Sequence, residues 1–480
     1  MLKQGSNCWR IEPAVKASVV IDAQDYFRFA RDAMLNARRR IMLVGWDFDA
    51  RIALVDNDAD EGPAQLGEFI TWLADRNPEL EFYLLRWDVG ALKSLGRGST
   101  ALTVLNWMRR KGIHTRLDRH HPVGSSHHQK IVVIDDCFAF CGGIDMTGDR
   151  WDTRAHRDHD PGRRQPNGKP YQPWHDATTA LQGPVAAALA ELCRARWQRA
   201  GGKPIAPLDL ACDYWPADLP VQFTDVDVAI ARSVPEMPDQ TPVREIEQLY
   251  VDQIAGAKHF IYAESQYFAS RRVAEAIARR MEEPDGPEIV LINPETSDGW
   301  LQAVAMDSAR ARLFEAIRSR DPRGRFRIYH PYTAGGAPIY VHAKILIVDH
   351  CTVRVGSSNM NNRSMRLDTE CDVVVDAAQP ANAGVGDEIA ALRNGLIAEH
   401  LGVAVETIAE NIVKTGSIIA TIEALRGHGK TLRPYRTPDL EAVEAWLADN
   451  EVLDPEGPGE MFESPARRGL FRNLWERVRN

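Results

Sequence analysis

Two stretches decide the architecture: His127–Asp145, HHQKIVVIDDCFAFCGGID, and Val341–Asn359, VHAKILIVDHCTVRVGSSN. They align without a gap. In both, a Lys stands two, an Asp seven and a Gly fourteen positions after the shared His, which is His128 in one and His342 in the other. Agreement at that many polar positions marks an internal duplication. The runs after each Lys, IVVI and ILIV, are β-branched or aliphatic and read as buried strands.

Upstream the duplication continues. YFRFARDAMLNARRRIMLVGWDF (26–48) and IEQLYVDQIAGAKHFIYAESQYF (246–268) each show helically spaced apolar residues and then a short apolar run, so both read as helix followed by strand. Further strands are expected at Phe82–Leu85 and Ile289–Ile292, each with helical sequence after it. The expected fold class is therefore α/β: two similar α/β/α lobes, each a mixed β-sheet covered by helices, related by pseudo-two-fold symmetry. The lobes span about residues 15–205 and 220–395, and a C-terminal helical extension and tail occupy 396–480. Between the lobes, Pro204, Pro207, Pro216 and Pro220 mark a connector. Helical periodicity recurs over Glu388–Leu425, and the acidic stretch Pro434–Pro465 reads as irregular. Arg154–Pro173, dense in Arg, Asp, His, Gly and Pro, reads as a loop insertion without a counterpart in the second half.

Composition narrows the function classes. With 44% hydrophobic and 26% charged residues among 480, the chain is an ordinary globular protein, not a disordered or fibrous one. Lys and Arg number 58 against 67 Asp and Glu, a net charge of −9 that disfavours nucleic acid as a partner and requires a local basic site for any anionic substrate. Neither a membrane-spanning run nor the apolar core of a signal peptide is visible, so a cytoplasmic or peripheral membrane location is the default expectation, with export by a specialised route left open. The seven cysteines (Cys8, Cys137, Cys141, Cys193, Cys212, Cys351 and Cys371) are odd in number and sparse, and read as buried thiols.

Period-2 alternation puts His128 and Lys130 on one strand face, and His342 and Lys344 likewise. If the lobes pack around their pseudo-two-fold, two imidazoles and two ammonium groups converge, with Asp145 and Asn359 displayed from the next strand. Such a set suits a phosphodiester: the lysines neutralise non-bridging oxygens, one His attacks phosphorus and the other protonates the leaving oxygen. The scheme calls for no metal and no cofactor. Carboxylates orienting each His are expected further along, at Asp176 in PWHDATTAL and Glu370 in LDTECDVVV.

Two intact HxKxxxxD motifs followed by GGID and GSSNMNNRSM resemble the phospholipase D superfamily over about residues 15–405. HHQK, GGIDMTGDRWDT, PWHD, YVHAK and NNRSM are more similar to its plant and animal type enzymes than to its nucleases, here without their lipid-binding modules. The resemblance implies His128 as nucleophile, His342 as general acid then base, and Lys130, Lys344 and Asn359 on the phosphate. It also implies crosswise support, with Glu370 orienting His128 and Asp176 orienting His342. The implied activity is phospholipase D hydrolysis and transphosphatidylation at a membrane surface. The alternatives are a phosphatidyltransferase resembling cardiolipin synthase and an inactive membrane-binding scaffold.

Other residues receive plainer readings. Asp135 and Asp349 fall on the strand face opposite their histidines and are expected to support the turn that follows. Glu264, Gln266 and Tyr267 in AESQYF, with Trp46 and Asp47, sit where a site wall or a polar strand end is equally expected, and Gln266 is the candidate substrate contact among them. His120, His121 and His127 lack the carboxylate or cysteine spacing of a metal site, and His156 and His159 read as polar loop residues. In Pro465–Asn480, Leu470, Phe471, Leu474, Trp475 and Val478 line one helical face between arginines, the pattern of an interfacial anchor or of a docked helix.

Overall fold

The computed structural model describes residues 2–56, 61–88, 100–296, 300–427 and 429–437. The tail Pro465–Asn480 and most of the acidic stretch before it lie outside the described residues. The first half contributes β1 (Arg10–Ile21), β2 (Arg40–Gly45), β3 (Glu81–Trp87), β4 (Ile113–Asp118), β5 (Lys130–Ile134), β6 (Phe138–Gly142), β7 (Trp174–His175) and β8 (Ala177–Gln182). The second contributes β9 (Phe223–Val234), β10 (Val243–Arg244), β11 (Phe260–Glu264), β12 (Glu288–Ile292), β13 (Phe326–Tyr332), β14 (Tyr340–Val341), β15 (Ile345–Val348), β16 (Thr352–Gly356) and β17 (Glu370–Asp376), and β18 (Thr431–Pro434) follows.

The two halves share one continuous sheet. β1 and β9 pair antiparallel, from Arg10 opposite Ile230 to Ala17 opposite Phe223. Outward from β1 the order is β8-β6-β5-β2-β3-β4, and outward from β9 it is β17-β16-β15-β11-β12-β13. Pairing directions correspond as well: only β2–β3, β3–β4, β11–β12 and β12–β13 on these paths are parallel. β18 extends the far edge beside β13, so part of the C-terminal extension is strand rather than helix.

Strand alternation shows why the apolar runs are unbroken. Met42, Val44, Ile131 and Val133 enter one apolar cluster with Leu189 of the helix Pro184–Arg199. Their neighbours Ile41, Leu43, Val132 and Ile134 enter another with Phe27 and Ala30 of the helix Ala23–Leu35. Both faces of the sheet are covered, so every position along these strands must be apolar. Pro184 opens its helix where a missing N–H costs no hydrogen bond. Glu388–Leu425 forms three helices, Gly386–Leu401, Val405–Thr415 and Ile418–Leu425, and the first runs across the expected lobe boundary at 395.

The Asp135 and Asp349 side chains act on the chain entering the neighbouring strand rather than on the turn that follows them. The Asp135 carboxylate accepts the backbone N–H groups of Arg38, Arg39 and Arg40 at 2.6–2.8 Å. Asp349 accepts those of Lys258, His259 and Phe260 at 2.7–2.8 Å. Each aspartate thus satisfies the chain entering β2 or β11. The repeated Gly has an equally local cause: a Cβ on Gly142 would lie 2.3 Å from Thr178 Cα, and one on Gly356 2.6 Å from Asp372 Cα.

The cysteine reading needs correction. Cys137 and Cys212 form a disulfide 75 positions apart, and Cys351 is exposed, whereas Cys8, Cys141, Cys193 and Cys371 are buried thiols. The connector folds back onto the β5–β6 turn, where Tyr214 also donates to Asp135 at 2.8 Å. That return brings Cys212 to Cys137, a proximity absent from local sequence.

Candidate active site

Each HxK segment is held by the other half. The backbone N–H of His128 donates to the Thr369 carbonyl at 3.0 Å, and that of Thr369 to the Ser126 carbonyl at 3.0 Å. Reciprocally, β14 pairs with β7, and the His342 N–H donates to the His175 carbonyl at 2.7 Å. Glu370 follows Thr369 and Asp176 follows His175, so these exchanges deliver each carboxylate to the opposite imidazole. His128 Nδ1 lies 3.0 Å from both Glu370 oxygens, and His342 Nδ1 lies 2.7 Å from Asp176 Oδ2.

The tautomer of His128 follows from its partners. Its Nδ1 is also 3.0 Å from the Ser357 carbonyl oxygen, which can only accept, so Nδ1 carries the proton and Nε2 offers its lone pair. The His128 side chain keeps 16% of its surface exposed and His342 7%, while Glu370 and Asp176 have none, so the imidazoles rather than the carboxylates face an incoming ligand. Glu370 accepts the hydroxyls of Ser357 and Ser364, the latter at 2.7 Å. Ser364 also accepts the Asn359 N–H at 3.0 Å, and it lies on a π-helical turn, Arg363–Leu367. NNRSM therefore ties the Asn359 backbone to the carboxylate behind His128.

Lys130 Nζ lies 3.2 Å from Asp145 Oδ2 and donates to the His128 carbonyl at 2.6 Å. Lys344 donates to the His342 carbonyl. Asp145 and Asn359 stand in the loops just beyond β6 and β16, not on the strands themselves. Asn359 Nδ2 reaches Gln266 Oε1 at 3.4 Å, and its buried Oδ1 has no hydrogen-bond partner among the described residues. Gln266 in turn donates to the Tyr340 hydroxyl at 2.8 Å.

Charge is concentrated and desolvated here. Burial, then Lys130 and Lys344, hold His128 well below the ordinary imidazole range, and burial, Lys344 and Arg150 do the same for His342. Burial brings Lys344 down to about 7 against the pull of Asp176. Burial pushes Glu370 up to about 8, although Lys130 and the two serine hydroxyls favour its charged form. The cations gathered here, with burial, disfavour a proton on either imidazole.

Some readings from sequence change. Glu264 is not a site wall: it is buried and accepts from His175 at 2.8 Å, Tyr262 at 2.6 Å and His400 at 3.1 Å. His156 is not a solvated loop residue but 1% exposed, within a carboxylate cluster. His127 turns away from His128, toward Thr369 at 2.9 Å and Asp118 at 3.1 Å. Arg150, whose guanidinium lies 4.4 Å from the Trp174 ring centre, has no sequence signal of its own, since one Arg in a polar loop carries no periodicity. Trp174 also stacks on Tyr340 and lies 5.3 Å from the His342 ring, forming an aromatic wall.

A family model described as "Phospholipase D" matches residues 33–242, and one described as "Cardiolipin synthase, PLD-like domain" matches residues 250–390. The chain belongs to the phospholipase D superfamily. Phospholipase D alpha 1 of Carica papaya is 26% identical over 521 residues, and that of Arabidopsis thaliana 26% over 522. Each alignment covers 79% of this chain and 64% of the relative, so the chain spans under two thirds of their length. A phosphatidylserine synthase structure from Haemophilus influenzae superposes with a TM-score of 0.55, covering 86% of this chain and 96% of that one at 14% identity, which establishes a shared fold. Superfamily members are phosphodiesterases and phosphatidyltransferases, and lipid metabolism is the shared context of these relatives. Among the described residues, no helix is long and apolar enough to cross a membrane.

Proposed function

We propose that the protein is a phospholipase D, cleaving the distal phosphodiester of glycerophospholipids to phosphatidic acid, with residues 15–205 and 220–395 each supplying half of the site. The observation that carries this reading is the pair of crosswise imidazole–carboxylate contacts, with Nδ1 of each His bound and Nε2 left for chemistry. Lys130, Lys344 and Asn359 bind the phosphate oxygens, where desolvated donors stabilise developing charge most strongly. A bound diester's negative charge offsets Lys344 and Arg150 so that His342 takes up a proton on Nε2; His128 Nε2 attacks phosphorus as the head-group oxygen departs, and His342 delivers that proton to the oxygen. His342 then takes a proton from water, whose oxygen displaces His128 and releases phosphatidic acid.

Replacing water with an alcohol gives transphosphatidylation by the same steps. The match of residues 250–390 to the cardiolipin synthase model favours that as the second reading, in which the acceptor is another lipid. Incubation with phosphatidylcholine, phosphatidylethanolamine and phosphatidylglycerol vesicles, with mass-spectrometric product identification, tests both. Phosphatidic acid supports the hydrolase, cardiolipin from phosphatidylglycerol supports the transferase, and turnover of none of them rejects both in favour of a scaffold.

A further inference from the structure

Behind Asp176 lies a second cluster that the proposed chemistry does not use. Asp22 stands between β1 and the helix Ala23–Leu35, His156 comes from the inserted loop, His175 from β7 and Glu399 from the helix Gly386–Leu401. The His156, His175 and Asp22 side chains are at most 1% exposed, and that of Glu399 3%. Glu399 Oε1 is 3.1 Å from His156 Nε2 and 3.2 Å from His175 Nδ1. The Asp22 oxygens are 3.4 Å from His156 Nε2 and 3.3 Å from His175 Nδ1. One ligand atom from each of the four residues lies within 4.8 Å of all the others.

Two features separate this cluster from an ordinary ion-pair network. First, although His156 Nε2 is hydrogen-bonded to Glu399 Oε1, the buried His175 Nδ1 and Asp22 Oδ2 have no hydrogen-bond partner among the described residues, while each lies within 3.4 Å of another member of the cluster. Second, each imidazole is backed on its other nitrogen by a separate carboxylate, Asp152 3.2 Å from His156 Nδ1 and Glu264 2.8 Å from His175 Nε2. Carboxylate-backed histidines are the usual outer shell of metal-bound imidazole. The N···O separations of 3.1–3.4 Å also fit the ~3.3 Å edges of a tetrahedron with metal–ligand bonds of ~2.0–2.1 Å.

We propose that Asp22, His156, His175 and Glu399 form a closed four-ligand site for a divalent transition-metal ion of the Zn²⁺ class. Imidazole selects against Mg²⁺ and Ca²⁺, and four protein ligands leave no open position for a substrate, so the role is structural. Arg154 Nε pairs with Glu399 Oε2 at 2.5 Å, so Glu399 would ligate through Oε1 alone, and each imidazole must be unprotonated at its ligating nitrogen, which couples binding to proton release. The ion would fasten the inserted loop and the C-terminal helix to the segment that carries Asp176, whose backbone N–H donates to Asp22 Oδ1 at 3.1 Å. This inference stands apart from the proposed reaction.

The full-length protein, dialysed against micromolar Zn²⁺ and then freed of loose metal, should retain one Zn²⁺ per chain. X-ray absorption at the zinc edge should show a nitrogen and oxygen shell at ~2.0–2.1 Å with two imidazoles and no sulfur. Thermal melting of this protein should rise on Zn²⁺ loading, and loading should release protons into a weakly buffered solution. His156→Gln should lose the retained ion, whereas His128→Asn should keep it. A wild-type protein that retains no Zn²⁺, a sulfur-containing shell, or loss of the ion in His128→Asn with retention in His156→Gln would each overturn the site. The wild-type measurements decide the matter even if His156→Gln fails to fold.

Discussion

Glu370 holds His128 across 242 positions of chain, both carboxylate oxygens lying 3.0 Å from Nδ1, in a pocket that leaves the carboxylate no exposure. The carboxylate keeps the Nδ1–H tautomer and stabilises positive charge on the ring, yet its own charge is costly there. Consequences for rate and for stability therefore run in opposite directions.

Glu370 titrates at about 8 because burial outweighs Lys130 and the serine donors. The attacking form needs the carboxylate ionised and His128 neutral, which gives kcat/KM on a soluble phosphodiester an ascending limb toward about 8, opposed by loss of the Lys344 proton through about 7. Glu370→Gln keeps an acceptor for Nδ1–H but cannot titrate, and should lower kcat while abolishing that limb. An unaltered limb in Glu370→Gln would assign it to another group.

The same shift has a stability sign. A carboxyl whose folded value is raised binds its proton more tightly in the native state, so its contribution is present at low pH and is lost as pH rises from the unfolded range through about 8. Urea unfolding of the wild type should lose stability over that interval by up to about 1.4 kcal/mol per pH unit. Glu370→Gln should be flatter over the same interval.

His128→Asn should lose roughly 10⁴-fold or more of activity and carry no substrate phosphate. With a good leaving group the first displacement needs little acid help, so His342→Asn should accumulate a phosphoenzyme and hydrolyse it slowly. Peptide mapping should place the adduct on His128. An adduct on His342 in the reciprocal variant would exchange the roles, and no labelling of either would count against a covalent intermediate.

Asp135→Ala removes the acceptor of three backbone N–H groups and the Tyr214 hydroxyl, and should cost about 2–4 kcal/mol by denaturant unfolding. Asp349→Ala, which strands three N–H groups and no hydroxyl, should cost somewhat less. Loss below about 1 kcal/mol in both would remove their capping role.

Thiol titration of denatured, unreduced protein should count five free cysteines, and seven after reduction, because Cys137 and Cys212 are bonded. Seven before reduction would show the bond absent.

What the sequence alone determined is what repeats or alternates. IVVI and ILIV had to be strands covered on both faces, and a His and Lys two apart had to share a face, since side-chain direction in a strand has period two. The duplication itself placed His128, Lys130, His342 and Lys344 in equivalent positions. Tertiary structure alone decided contacts with no local period: the disulfide across 75 positions, and the approach of His156 to Glu399 across 243. It also turned Asp135 from its own turn to the chain entering β2, and Glu264 from a strand-end residue to a buried partner of His175. Those residues are polar in sequences that read as loops or strand ends, and only desolvation by distant segments makes their pairing obligatory.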